Sequence, residues 1–144
     1  MKAAFAFVLL MCCASAAQAS EALKSVMDSY LKIHSTLAAD KIDGIKANAA
    51  AIATAAAPLG EHGAAIVKAA KSLETASDLK SARQHFGALS DGVIAAAKAE
   101  NFKDVPGVKV AYCPMVNASW LQTEEQIRNP YYGSGMLTCG EFKK

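Results

Sequence analysis

The sequence predicts an all-α fold, an up-down four-helix bundle with a C-terminal loop-rich tail packed on it. Three observations carry this. Alanine dominates from Ser20 to about Ala99, and alanine has the highest intrinsic helix propensity. Strand-like alternation is absent over that stretch, where Pro and Gly are confined to Gly44, Pro58, Gly60, Gly63, Gly87 and Gly92. Apolar residues recur at helical spacing in four stretches of roughly 15 to 22 residues joined by short polar connections.

The first helix begins at Ser20 or Glu21 and places Leu23, Val26, Met27, Tyr30, Leu31, Ile33 and Leu37 on its apolar side. Asp40 is the N-cap candidate for a second helix carrying Ile42, Ile45, Ala49, Ile52 and Ala56, which Pro58-Leu59-Gly60 ends. A third helix, from about Glu61 to Thr75, presents Ala65, Ile66, Ala69, Ala70 and Leu73. Ser77 or Asp78 caps a fourth, which carries Leu79, Ala82, Phe86, Leu89, Val93, Ile94 and Ala97. Gly44, Gly87 and Gly92 fall inside these helices at a cost of about 1 kcal/mol each relative to Ala.

Composition changes between Asn101 and Gly107, and Val108 to Tyr112 reads as a short alternating extended segment. The tail, residues 101–144, is too short to fold alone. It is expected to pack on the bundle of residues 20–100, making one domain.

Residues 1–19 read as a secretory signal. Lys2 supplies the charged start, Ala3 to Ser15 the apolar run, and Ala17-Gln18-Ala19 the small-x-small cleavage site. The run is too short to span a bilayer as a helix. Cys12 and Cys13 follow Met11 and Cys12, where a lipobox wants a small residue. The expected compartment is a bacterial periplasm, which is oxidising, and the mature chain keeps only Cys113 and Cys139. Without Lys2 it carries fourteen basic against thirteen acidic residues. That balance, with no run of like charge, argues against nucleic acid or an anionic membrane surface as partner.

Chemistry concentrates in the tail. Cys113-Pro114-Met115 and Met136-Leu137-Thr138-Cys139-Gly140 each pair a cysteine with a methionine. Thiolate and thioether sulfurs are soft donors, so Cys113, Met115, Met136 and Cys139 would suit Cu(I), or Ag(I) by similar softness. His62, at the start of the third helix, is the histidine best placed to join them. With a nitrogen ligand Zn(II) becomes competitive. His34 and His85 read as surface or satisfied core groups.

Spacing and an oxidising compartment favour a disulfide between Cys113 and Cys139 over this metal site, and it would contribute roughly 3 to 4 kcal/mol in the chain-entropy model. The methionines are then ordinary apolar packing. Both readings stand open on the residues alone. Trp120, Tyr131 and Tyr132 read as anchors of the tail on the bundle, and Asn129-Pro130-Tyr131-Tyr132-Gly133 as a turn. Gly-rich phosphate loops, His-Glu-x-x-His and Gly-x-Ser-x-Gly are absent, and Cys-Pro-Met lacks the second cysteine of a Cys-x-x-Cys motif. The expectation is therefore a protein without enzymatic activity.

The tail pattern Tyr112, Cys113-Pro114-Met115, Trp120, Asn129-Pro130-Tyr131-Tyr132-Gly133 and Met136-x-x-Cys139-Gly140 resembles that of an uncharacterised family of bacterial periplasmic domains. These occur alone or fused to adaptor subunits of copper and silver efflux systems. The likeness covers the mature chain, loosely along the helices, where His62 and Arg83 to Ser90 take part, and specifically in the tail. Members often carry histidine directly before Cys-Pro-Met, where this chain has Tyr112. The resemblance implies a helical periplasmic domain for heavy-metal handling, a chaperone or buffer with an efflux adaptor as partner.

Overall fold

A computed structural model describes the backbone from Ala3 to Lys144 and the side chains from Ala16 onward. Most of the leader expected over residues 1–19, Cys12 and Cys13 included, lies outside the described side chains. Four helices come first: α1 (Ala3–Ala38), α2 (Ile45–Ala55), α3 (Gly60–Glu74) and α4 (Leu79–Ala99), with a 3-10 turn, Ala57–Leu59, between α2 and α3. Three strands follow, β1 (Lys109–Cys113), β2 (Ala118–Gln122) and β3 (Glu141–Phe142).

Most of the apolar spacing read from the sequence is buried, but Leu31 and Leu79 are half-buried and Ile42 and Ala65 are exposed. Leu23, Val26, Met27, Tyr30, Ile33 and Leu37 of α1 are buried, and they meet Ile45, Ala49 and Ile52 of α2, Ile66, Ala70 and Leu73 of α3, and Phe86, Leu89 and Val93 of α4 in one core. Asp78 caps α4 by accepting from the Ser81 backbone N–H at 2.7 Å, and the Ser81 hydroxyl in turn accepts from the Asp78 N–H, so the two form a reciprocal capping box. Among the described residues no single helix is long and apolar enough to cross a membrane.

The all-α expectation is overturned. The tail is not loop-rich packing on a four-helix bundle; it folds into an antiparallel sheet of order β2-β1-β3. Lys109 pairs with Gln122 and Cys113 with Ala118 in one ladder, and Ala111 with Phe142 in the other. Burial explains the outcome. Ala111, Cys113, Trp120 and Leu121 are fully buried, and backbone groups at such depth need hydrogen-bond partners, which a ladder provides. Asn117, in the left-handed region at φ 51°, closes the β1–β2 connection.

The up-down arrangement also fails, because the chain bends by only 53° between Ile45–Ala55 and Ala57–Glu74, whereas successive helices of an up-down bundle reverse direction. The turn between α2 and α3 is short, and Gly63 lets α3 approach the Ala56 carbonyl so closely that a Cβ there would clash. Asp40 does not cap α2. It lies just past α1 at φ 56°, and Gly44 holds the N-cap position instead of lying within the helix.

The sheet docks through β2 on α4 and α1. Tyr30 ties all three elements together: its hydroxyl sits 2.6 Å from Ser90 Oγ and accepts the Leu121 backbone N–H at 3.1 Å. Aromatic rings continue the contact, with Tyr30 stacked on Phe86 at 5.1 Å, Phe86 on Tyr131 at 5.8 Å, and Tyr131 edge-on to Trp120 at 6.0 Å. The aromatic residues of the tail thus anchor it to the helices.

Candidate thiol and metal site

The sheet brings the two cysteine segments together. Cys113 ends the central strand and is fully buried, while Cys139 precedes β3 and is half-buried. Pairing of Tyr112 with Glu141 draws the segments into register, and their Sγ atoms lie 2.8 Å apart. Both are free thiols, separated by about 0.8 Å more than a bonded pair.

Asn129 holds the second segment in place. It is fully buried, its Nδ2 donates to the Cys139 carbonyl at 2.9 Å, and its Oδ1 accepts the N–H groups of Tyr131 at 2.8 Å and Tyr132 at 3.2 Å. Its own N–H reaches the Leu137 carbonyl at 2.7 Å. The Asn-Pro-Tyr-Tyr-Gly stretch is indeed a turn, built by one amide side chain. Gln122 is the corresponding centre one layer away: its Oε1 accepts from Trp120 Nε1 at 2.8 Å and from the Arg128 N–H at 3.0 Å, and its Nε2 donates to the Gln126 carbonyl at 2.7 Å.

A clamp from the helices secures the same loop. Arg83 of α4 donates to the Pro130 carbonyl at 2.9 Å, to the Leu37 carbonyl at 3.0 Å and to Asp40 at 2.6 Å, and Asp40 accepts the Ser134 N–H at 3.0 Å. Hydrogen bonds from Ser134 and then Arg83 push the Asp40 carboxyl down to about 2. Gly133 lies directly against this ion pair, at φ 54°, where a Cβ would strike both Asp40 and Arg83.

The two thiols differ electrostatically. Burial by itself raises Cys113, but hydrogen bonds to its sulfur from the Cys139 thiol, the Val116 and Met115 backbone N–H groups and the Asn129 side chain outweigh it and bring Cys113 below the ordinary thiol value. Cys139 is raised, first because it is the donor in its hydrogen bond to Cys113, then by burial.

The remaining predicted ligands divide. Met115 is 66% exposed and Met136 36% exposed, each beside its cysteine in sequence. His62 does not join them; it is exposed on the first turn of α3, a helix that packs on α2 and α4. Among the described residues no three or more His, Cys, Asp and Glu side chains gather into a metal-binding group. Two thiolates on one tetrahedral ion at about 2.3 Å would lie roughly 3.8 Å apart, so the pair must open by about 1 Å to share an ion.

Sequence reasoning passed over Gln122 and the bridging role of Asn129, while His34 is the satisfied core group that was one of its two expected readings. His34 is buried in α1 and its Nε2 donates to the Arg128 carbonyl at 2.8 Å; burial holds its pKa below the ordinary value. Its position on the apolar side, one residue after Ile33 and three before Leu37, is the signal that places it inside.

Fold and site define a helix-dominated domain whose C-terminal sheet seats a pair of adjacent thiols between the helices and the surface. Residues 26–104 match the family described as a protein of unknown function (DUF3347), and the chain belongs to that family. The matched stretch runs from within α1 to just past α4 and stops short of both cysteines. The sequence likeness had been expected to be most specific in the tail. No curated protein and no solved structure matches the chain.

Proposed function

We propose that the chain binds a soft metal ion, Cu(I) before Ag(I) or Zn(II), as a periplasmic chaperone or buffer linked to metal efflux. The observation that carries this reading is the exposure of Met115 and Met136. Among the described residues the exposed large hydrophobic side chains are Ile42 and these two methionines, each within three residues of a site cysteine. Met115 is mostly in solvent and gains little from packing, and a thioether that takes up and releases an ion must reach solvent. In this reading Cys113 and Cys139 act as charge-neutralising thiolates once parted, and the methionines complete an exchangeable shell. His62 is left out of the shell.

The test is anaerobic Cu(I) titration of the reduced protein against a competing chelator, beside a Cys113→Ser, Cys139→Ser variant and a Met115→Leu, Met136→Leu variant. Exposed Met-to-Leu changes leave stability within about 0.5 kcal/mol, so lost affinity in that variant would report ligation and not unfolding. Failure of the reduced wild type to compete would sink the proposal.

A second reading is favoured by the 2.8 Å approach of the sulfurs, which needs less movement to form a disulfide than to admit an ion. The chain would then be a non-enzymatic interaction module whose tail a Cys113–Cys139 bond rigidifies. Unchanged copper affinity in both variants would select it.

A further inference from the structure

We propose that Cys113 and Cys139 form a directional thiol–disulfide exchange site, in which an external thiol or disulfide engages Cys139 and Cys113 acts as the buried resolving sulfur. This goes beyond both readings above and does not depend on metal binding. It asks of the pair only that it exchange with thiols, and by one route.

Two features of the geometry give the pair its direction. Access is one-sided, because Cys113 is fully buried at the end of the central strand while Cys139 reaches the surface. Contact is already made, with the sulfurs 2.8 Å apart, so the second sulfur stands ready when the first has reacted. The electrostatics run the same way: hydrogen bonding, first from Cys139, brings Cys113 below the ordinary thiol value while Cys139 is raised, and exchange favours expulsion of the sulfur with the lower pKa.

The reduction runs as two displacements. An incoming thiolate bonds to Cys139 Sγ as the Cys113–Cys139 bond breaks, and the electron pair leaves on Cys113 Sγ. A second external thiolate then bonds to the sulfur attached at Cys139, and Cys139 leaves as thiolate. Two external thiols become one disulfide, while their two electrons and two protons end on the protein dithiol. Oxidation by a disulfide donor is the reverse, through the same mixed disulfide on Cys139.

Glutathione is a suitable probe. The oxidised full chain is mixed with reduced glutathione, quenched with acid, alkylated and mapped by peptide mass spectrometry. The mixed disulfide should sit on Cys139 in about ten-fold or greater excess over Cys113. Reduced Cys113→Ser should form a lasting glutathione adduct from oxidised glutathione, and Cys139→Ser should react about ten-fold more slowly, with the difference erased in denaturant. Equal adducts at both positions, equal rates in the two variants, or a disulfide inert to glutathione would each overturn the proposal. The mapping uses unsubstituted protein, so it stands even if a variant fails to fold.

Discussion

Tyr30→Phe isolates the bond that fastens the sheet to the helices. The ring remains stacked on Phe86 at 5.1 Å, so only the hydroxyl is lost. Its removal leaves the Leu121 N–H buried without an acceptor, and Ser90 without its 2.6 Å partner, where Tyr30, Leu121 and Ser90 are all fully buried. An orphaned buried donor costs about 1–3 kcal/mol and a lost hydroxyl bond about 1 more, giving about 2–4 kcal/mol in all. For a chain of this size that lowers Tm by roughly 6–16 °C. Ser90→Ala should cost less, near 1 kcal/mol, because Tyr30 still accepts from Leu121, and the double variant should fall short of additivity. Thermal and urea denaturation followed by circular dichroism would measure all three. A Tyr30→Phe protein within about 0.5 kcal/mol of wild type, or a Ser90→Ala cost as large, would refute the assignment of the penalty to the strand N–H.

His34 is held neutral by burial, with a folded pKa below its unfolded value of 6.5, so its contribution is complete above that value and is lost as pH falls beneath it. Stability should drop by up to about 1.4 kcal/mol per pH unit there, and His34→Gln, which keeps a donor for the Arg128 carbonyl, should flatten urea midpoints measured across that range. Asp40, depressed to about 2, acts in a separate window: its contribution is present above pH 4 or so and lost toward pH 2. Gly133→Ala should cost about 2–4 kcal/mol, from left-handed strain and from collision with Asp40 and Arg83; a thermal midpoint matching wild type would remove that glycine's role. Asn129→Asp keeps the acceptor for Tyr131 and Tyr132 but turns an oxygen toward the Cys139 carbonyl, so the reduced protein should lose about 1–3 kcal/mol and the Cys113 thiol pKa, read by thiolate absorbance, should rise.

The helical part was legible because its signals are local and repeated. Leu23 to Leu37 and Leu79 to Ala97 place an apolar residue every third or fourth position, and the residues so marked are buried except for the half-buried Leu31 and Leu79. The extended segment read at Val108 to Tyr112 is β1, but its two partner strands were hidden because their signals are short and mutual. Ala118-Ser119-Trp120-Leu121-Gln122 has no clean alternation, its last three residues all being buried, and a two-residue β3 carries no pattern at all. Each becomes a strand only through β1 beside it. Asp40 misled for a related reason: an Asp ahead of an apolar run resembles a cap, but its carboxylate is taken by Arg83, forty-three residues away. Within the site, the cysteines and methionines were legible as chemistry, and the convergence of Cys113 on Cys139 was conceivable. The asymmetry between the two thiols was not, because it comes from their unequal burial and from the hydrogen bond between them, which only the fold supplies.

The family match and the chemistry occupy different parts of the chain, and the contacts between those parts show that the helices alone are incomplete. Tyr30, His34, Arg83 and Phe86 all lie within residues 26–104, and each has a partner in the tail, respectively Leu121, Arg128, Pro130 and Tyr131. Ending the chain at Asp104 would strip these groups of their partners and remove Trp120, Leu121 and Tyr131 from the core. At about 1.5–3 kcal/mol for each large side chain, the apolar loss alone is about 5–9 kcal/mol, comparable to the whole stability of a small domain. The truncated chain should therefore keep much of its helical circular dichroism yet lose a cooperative melting transition. A sharp transition near that of the full chain would mean that the helices bury their own core, and that the thiol-bearing sheet is an appendage instead of the missing wall of the domain.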